Sequence, residues 1–147
     1  MQREIQVTAD GSHTIYIPGT GVTYHSTHGA IQESTHVFIE AGLIPLISKE
    51  NHAPIKILEI GFGTGLNALL SWQTAKKYNK PISFTGIELY PIVPEETGTL
   101  NYGKLLSMEK EFTAIHACTW EQEEQLDDLF SLKKIKAIMM PYTGSRL

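Results

Sequence analysis

Cysteine is almost missing: Cys118 stands alone among 147 residues. No internal disulfide can form, and a reducing compartment is the natural home of such a chain. Nor does any apolar run approach the length of a membrane span. Met1-Gln2-Arg3-Glu4 has none of the apolar stretch that makes a secretion signal. The expectation is a soluble, cytoplasmic chain with no membrane partner. A formal charge of −4 gives no general attraction to a polyanion, so an RNA partner would have to meet a local basic face. His25, His28 and His36 lie near one another without a cysteine or a tight carboxylate cluster, and no metal site is expected. Repeats and low-complexity tracts are lacking too. What remains is one domain's worth of chain with 41% hydrophobic residues, enough to build a core.

The first stretch alternates β-formers with turns. Ile5–Thr8, Thr14–Ile17 and Val22–Tyr24 predict short strands, separated by Asp10-Gly11 and by Pro18-Gly19-Thr20-Gly21. From Thr27, a candidate cap, Ile31, Ser34, Phe38 and Ala41 fall at helical spacing, and Gly42 is the expected stop. A connector with Pro45 and Asn51-His52-Ala53-Pro54 follows. Ile55–Ile60 is then a short apolar run of the kind found in buried parallel strands. A helix carrying Leu66, Leu69 and Leu70 ends near Asn79-Lys80-Pro81, and Ile82–Glu88 is the next strand. These three make a right-handed βαβ unit. Pro94-Glu95-Glu96 starts a helix that Leu100 and Leu105 continue, and Leu129–Lys136 alternates like a strand. Trp72, Trp120 and Cys118 read as packing residues.

The chemistry concentrates in Glu59-Ile60-Gly61-Phe62-Gly63-Thr64-Gly65. Glycines at 61, 63 and 65 remove the Cβ atoms that would block a tight turn and a close ligand. Backbone N–H groups at the start of the next helix can face an electron-rich ligand. Glu88 closes the second strand, where an acid can accept ribose hydroxyl hydrogens. A dinucleotide loop is G-x-G-x-x-G, but here the third glycine falls at 65 and position 66 is Leu. Glu59 could take the ammonium of a methionine moiety and would repel a pyrophosphate. Both departures favour S-adenosylmethionine over NAD or FAD. The plainer alternatives are a strand-end carboxylate bonded to backbone at Glu59, a surface acid at Glu88, and a tight turn at the glycines.

Leu58-Glu59-Ile60-Gly61-Phe62-Gly63-Thr64-Gly65-Leu66-Asn67 resembles the cofactor loop of the MnmC/MnmD-type tRNA methyltransferases. Tyr24-His25-Ser26 with Glu33-Ser34-Thr35-His36-Val37-Phe38 is similar to that family's upstream element, and Phe84–Pro91 to its second strand and turn. The resemblance runs from about Ser12 to about Ala137. It implies S-adenosylmethionine-dependent methylation of the amino group of 5-aminomethyl-2-thiouridine at the wobble position of tRNA. It implies a cofactor site at Glu59, Gly61, Phe62, Gly63, Thr64, Gly65, Asn67 and Glu88, with Glu33 and Ser34 nearby. The implied fold is α/β: a partial, Rossmann-like class I methyltransferase core over 55–137, with an N-terminal β-hairpin and helix extension over 1–54. The rival readings are an NAD- or FAD-binding oxidoreductase half and a non-catalytic module that binds a nucleoside or a partner.

The family's Asp-Ala/Gly-Phe-Ala-Pro segment has no counterpart here, so no catalytic residue is assigned. Residues 138–147 resemble nothing in the family, and an incomplete, inactive chain is expected. Ile138-Met139-Met140 must be coded ATN-ATG-ATG, so one G restored after the Ala137 codon gives GAT, an aspartate where the resemblance expects an acid. The tail is therefore expected to be a frameshift product. A half-built parallel sheet would leave a free edge open to self-association. Sequencing the gene through the Ala137 codon should find the missing base, with Phe-Ala-Pro coding downstream; an intact frame with no such coding contradicts it.

Overall fold

The turn at Asp10-Gly11 serves two ends at once. It joins β1 (Glu4–Val7) to β2 (His13–Ile17), which pair antiparallel with Val7 opposite His13, and β3 (Val22–Thr23) completes a three-stranded sheet. Its side chains also cap a helix. The first N–H groups of α1 (Ala30–Ser34) donate to Thr8 Oγ1 from Ala30 (3.1 Å), to Ser12 Oγ from Ile31 (3.1 Å) and to Asp10 Oδ2 from Gln32 (2.9 Å). Three donors that a helix start leaves orphaned are thus met from the hairpin, with a carboxylate at the positive end of the helix. The cap expected at Thr27 does not form, and the Thr27 carbonyl accepts from Ala9 N–H instead. The computed structural model describes residues 2–49 and 53–138. Asn51, His52 and all of the 138–147 tail except Ile138 lie outside them.

The helix does not stop at Gly42. It runs from α1 through a π-helical stretch, Thr35–Leu43, into α2 (Ile44–Ile47). Pro45 sits in the first turn of α2, where it has no N–H to give and its ring would crowd a tight preceding turn. The wider π turn relieves that crowding, so the helix passes through Gly42 and Pro45 together.

The second sheet has the order β4-β5-β7-β6, from β4 (Ile55–Ile60), β5 (Ile82–Glu88), β6 (Glu123–Gln125) and β7 (Phe130–Lys136). β4, β5 and β7 are parallel, with Ile57 opposite Phe84 and Phe84 opposite Leu132, and β6 returns antiparallel to β7. α3 (Leu66–Tyr78) crosses from β4 to β5 and buries Leu66, Leu69, Leu70, Trp72 and Ala75. Trp72 stacks on Phe130 with centroids 5.2 Å apart, and its Nε1–H donates to Asp127 at 2.7 Å. Phe84, Phe130 and Leu132 are fully buried, each contributing roughly 2–3 kcal/mol of transfer free energy. Cys118 is buried as a small packing residue.

The single helix expected from Pro94 is broken. α4 (Pro94–Thr97) ends, and α5 (Tyr102–Leu105) and α6 (Glu109–Ala117) follow separately. Thr97 and Thr99 hydroxyls donate back to the Pro94 and Glu96 carbonyls, which ends the first turn. Asn101 is drawn to the hairpin instead, accepting from His13 N–H and donating to the Gly11 carbonyl. Among the described residues no helix is long and apolar enough to cross a membrane.

β4 departs from the expected buried strand, because β5 is its only neighbour among the described residues. Its Leu58 and Ile60 side chains are 63% and 75% exposed. The opposite face carries the half-buried Ile55, Ile57 and Glu59, and Glu59 meets Asn67 of α3.

One close contact seats everything at the carboxyl ends of these strands. Phe62 is buried against Gly86 of β5, where a Cβ would come within 2.2 Å of the Phe62 ring. Gly86→Ala should therefore lower stability by about 2–3 kcal/mol, since this backbone and ring have no room to part. Urea unfolding measures it, and adding Phe62→Leu should recover part of the loss; a neutral Gly86→Ala contradicts the contact.

Candidate functional site

The loop between β4 and α3 bends back over β5. Gly61, Gly63 and Gly65 all have left-handed φ, at 87°, 55° and 80°, which residues with a Cβ resist. Gly61 and Phe62 N–H groups both donate to the Ile87 carbonyl, at 2.8 and 3.0 Å. Gly63 N–H donates to Glu88 Oε1 at 2.7 Å, and Tyr90 N–H to Glu88 Oε2 at 3.1 Å. Glu88 therefore fastens the loop to the end of β5 and keeps further lone pairs on both oxygens.

Thr64 is held from two sides. His116 Nε2 lies 2.9 Å from its carbonyl, so that nitrogen carries the proton, since a carbonyl only accepts. His25 Nε2 lies 3.1 Å from its hydroxyl. Burial pushes His116 down to about 4, with nearby Lys134 adding to the fall and the Thr64 carbonyl opposing it. Burial also lowers His25, against the pull of Glu33. Both rings are neutral at pH 7. Behind them, Lys134 is 1% exposed, donates to the His116 carbonyl at the end of α6, and lies 4.9 Å from the Trp120 ring centroid. The helix C-terminus and the indole face favour a cation there, although burial outweighs them and lowers the Lys134 pKa.

Between this loop, the Tyr24-His25 corner and the α1–π helix lies a cavity of about 490 Å³. Glu33, Ser34, Glu59, Gly61, Phe62, Gly63 and Asn67 line it together. Thr64 lies beneath the loop, Gly65 turns the chain into α3, and Glu88 stands beside the cavity through Gly63. Glu33 accepts from Ser26 N–H at 3.1 Å, which ties the helix to the corner. Tyr24 and His25 form a wall that composition and spacing did not assign, although Tyr24-His25-Ser26 is the segment just ahead of the helix. His116 and Lys134 carry no motif.

At the cavity floor, Asn67 Nδ2 donates to Glu59 Oε2 at 2.7 Å. Glu59 Oε1 and Asn67 Oδ1 have no partner, two of the three buried side-chain N and O atoms so left among the described residues. Leaving a buried acceptor unpaired costs about 1–3 kcal/mol, so native folds rarely tolerate it without a use. Burial pushes the Glu59 carboxyl up to about 7, with the Asn67 bond opposing and Glu88 reinforcing the rise. The pair thus carries two buried, unpaired acceptors and a carboxyl poised near neutrality.

No known protein-family profile matches the chain. In sequence it is similar to the "tRNA 5-methylaminomethyl-2-thiouridine biosynthesis bifunctional protein MnmC" of Burkholderia mallei (strain SAVP1), 33% identical over 86 residues, 56% of this chain and 13% of that protein. The protein of the same description from Burkholderia pseudomallei (strain 668) matches equally. In structure it is similar to MNMC2 from Aquifex aeolicus, with a TM-score of 0.64 and 27% identity over 93% of this chain and 43% of that one. The curated homologues of this chain are MnmC proteins. The chain spans about an eighth of their length, and less than half of the solved MNMC2 chain. Sequence and fold thus point to the same kind of relative, MnmC.

The Glu59 shift fixes a sign for stability. A carboxyl whose folded pKa is raised from 4.5 to about 7 stabilises fully below 4.5, and that contribution is lost as pH climbs through 7. Glu59→Gln, which cannot ionise, should gain on the unaltered chain by on the order of 3 kcal/mol over that window. Urea unfolding at several pH values measures the difference; one that does not change with pH contradicts the buried, half-satisfied carboxyl.

Proposed function

We propose that the cavity holds S-adenosylmethionine and that the protein methylates the aminomethyl group of wobble 5-aminomethyl-2-thiouridine in tRNA, in the cytoplasm. The observation that carries the cofactor reading is the Glu59–Asn67 pair lining the cavity, of which Glu59 Oε1 and Asn67 Oδ1 are buried without a partner. Two acceptors beside an ionisable carboxyl suit a cationic group with several N–H donors, as the α-amino group of a methionine moiety is. A pyrophosphate, anionic and without donors, would meet repulsion there, which argues against NAD or FAD.

In this reading residues 55–137 are the first half of a class I, Rossmann-like methyltransferase core, with residues 1–54 as its extension. Glu59 and Asn67 would hold the ammonium, Glu88 would accept from ribose hydroxyls with its remaining lone pairs, and Glu33 and Ser34 would border the methionine end. The bound cofactor supplies an electrophilic methyl group on a sulfonium. The chain's own contribution is position: the loop's left-handed glycines leave its backbone open to close approach, and the Tyr24-His25 wall limits water on one side. Cation binding would draw the proton from Glu59, so affinity should rise with pH up to about 7. The tRNA substrate is drawn from the names of the MnmC relatives, of which the chain spans only part. The β4 edge, unpaired among the described residues and with Leu58 and Ile60 uncovered, favours self-association, which light scattering reads as a mass that rises with concentration.

Calorimetric titration with S-adenosylhomocysteine, against NAD, tests the proposal. The expected result is binding of the first alone, weakened roughly tenfold or more by Glu59→Gln. Preference for NAD, or a cooperatively folded chain that binds neither, overturns the cofactor reading. Methyl transfer to tRNA carrying 5-aminomethyl-2-thiouridine, tested separately, decides the substrate.

A further inference from the structure

Arg3 is distant in sequence from every cavity residue, yet it joins a nearly closed ring beside the cavity. Its Nε–H donates to the Tyr24 hydroxyl at 3.2 Å, and Nη2 donates to the Tyr90 carbonyl at 2.9 Å. Nη1 reaches Glu96 Oε2 at 3.4 Å. The side chain is only 9% exposed. From Tyr24 the ring passes to the glycine loop, where a Cβ on Gly63 would stand 3.3 Å from Tyr24 Cδ2. Gly63 N–H then bonds Glu88, Glu88 bonds Tyr90 N–H, and the Tyr90 carbonyl returns to Arg3.

We propose that Arg3 is a positioning residue for the nucleoside end of the cavity, setting how Gly63 and Glu88 face a bound adenosyl ligand. The inference rests on the S-adenosylmethionine reading. The guanidinium presents donors in three directions from one rigid plane, so it bonds acceptors on three separate elements at once. A lysine ammonium on its flexible stem does not hold such a fork. The Glu96 contact is the long, half-exposed one of the three, and pairs of that kind stabilise little. The two short bonds go instead to Tyr24, which lies against Gly63, and to Tyr90, which is bonded to Glu88. Both ends of the ring therefore bear on Gly63, which lines the cavity, and on Glu88, which would accept from the ribose. Without Arg3, the fold keeps its core, while Tyr24 and the loop after β5 lose their common reference.

The test is calorimetric titration of the full chain and its Arg3→Ala, Arg3→Lys, Tyr24→Phe and Arg3→Ala/Tyr24→Phe variants with S-adenosylhomocysteine, with ligand-free thermal midpoints alongside. Arg3→Ala should weaken binding roughly tenfold, Arg3→Lys should restore little, and Tyr24→Phe should weaken it less. The double variant should bind no worse than Arg3→Ala, because both remove one bond. Tyr24→Phe should keep its midpoint, a pattern that general loosening would not give. If Arg3→Ala does not fold, Arg3→Lys and Tyr24→Phe read the same ring. Binding by Arg3→Ala or Arg3→Lys within about twofold of the unaltered chain, or additive Arg3 and Tyr24 effects, overturns the proposal. An unaltered chain that binds no S-adenosylhomocysteine is a different result, and overturns the cavity reading beneath it.

Discussion

Burying the Glu59 carboxyl with a single bonded oxygen is the constraint around which the cavity is arranged. Water is withdrawn from the group, Asn67 returns one hydrogen bond, and the other oxygen is buried without a partner, as is Asn67 Oδ1. Such a floor is unfavourable when empty and favourable toward a cation, which is how a binding site differs from a well-packed core. The neighbouring structure keeps that floor from collapsing. Phe62 wedged on Gly86 fixes the loop's depth, and the Ile87 carbonyl and Glu88 carboxylate fix its height over β5.

The supports of the loop come from elements far apart in the chain. His25 belongs to the N-terminal part, His116 to the end of α6, and they grip the hydroxyl and the carbonyl of the same threonine. Lys134 of β7 in turn holds the end of α6. The hairpin, the glycine loop and the last parallel strand are thus joined by hydrogen bonds as well as by one hydrophobic core that includes Ile15 and Ala30 alongside Phe84 and Leu132. All of the gripping groups are buried or neutral, so solvent does not compete with them.

What could be read from the sequence follows the range of the interactions. β4, the glycine loop, α3 and β5 announce themselves because a strand, a tight turn and a helix are local patterns, and each ends on its own punctuation: Gly61 to Gly65, then Asn79 in left-handed conformation. β7 is legible for the same reason. The start of α1 is not, because its cap comes from Thr8, Asp10 and Ser12 rather than from the adjacent Thr27. Gly42 and Pro45 look like breakers until a π turn absorbs both. α6 has no strong periodicity, and His116 and Lys134 gain their roles only when the fold brings them under Thr64. At the cavity itself, Glu59, Asn67 and the glycines follow from the motif, whereas the Tyr24-His25 wall needs tertiary structure.

The edge of β4, unpaired among the described residues, and the short span of the chain within its MnmC relatives concern the surroundings of this site rather than its floor. The direct measurement of the floor is a carbon-13 NMR titration of the Glu59 carboxyl, free and with S-adenosylhomocysteine. The account predicts titration near 7 in the free chain, and a fall of about 2 units or more when the ligand's ammonium sits against the carboxyl. An ordinary carboxylate value in the free chain, or one that the ligand leaves in place, would contradict it.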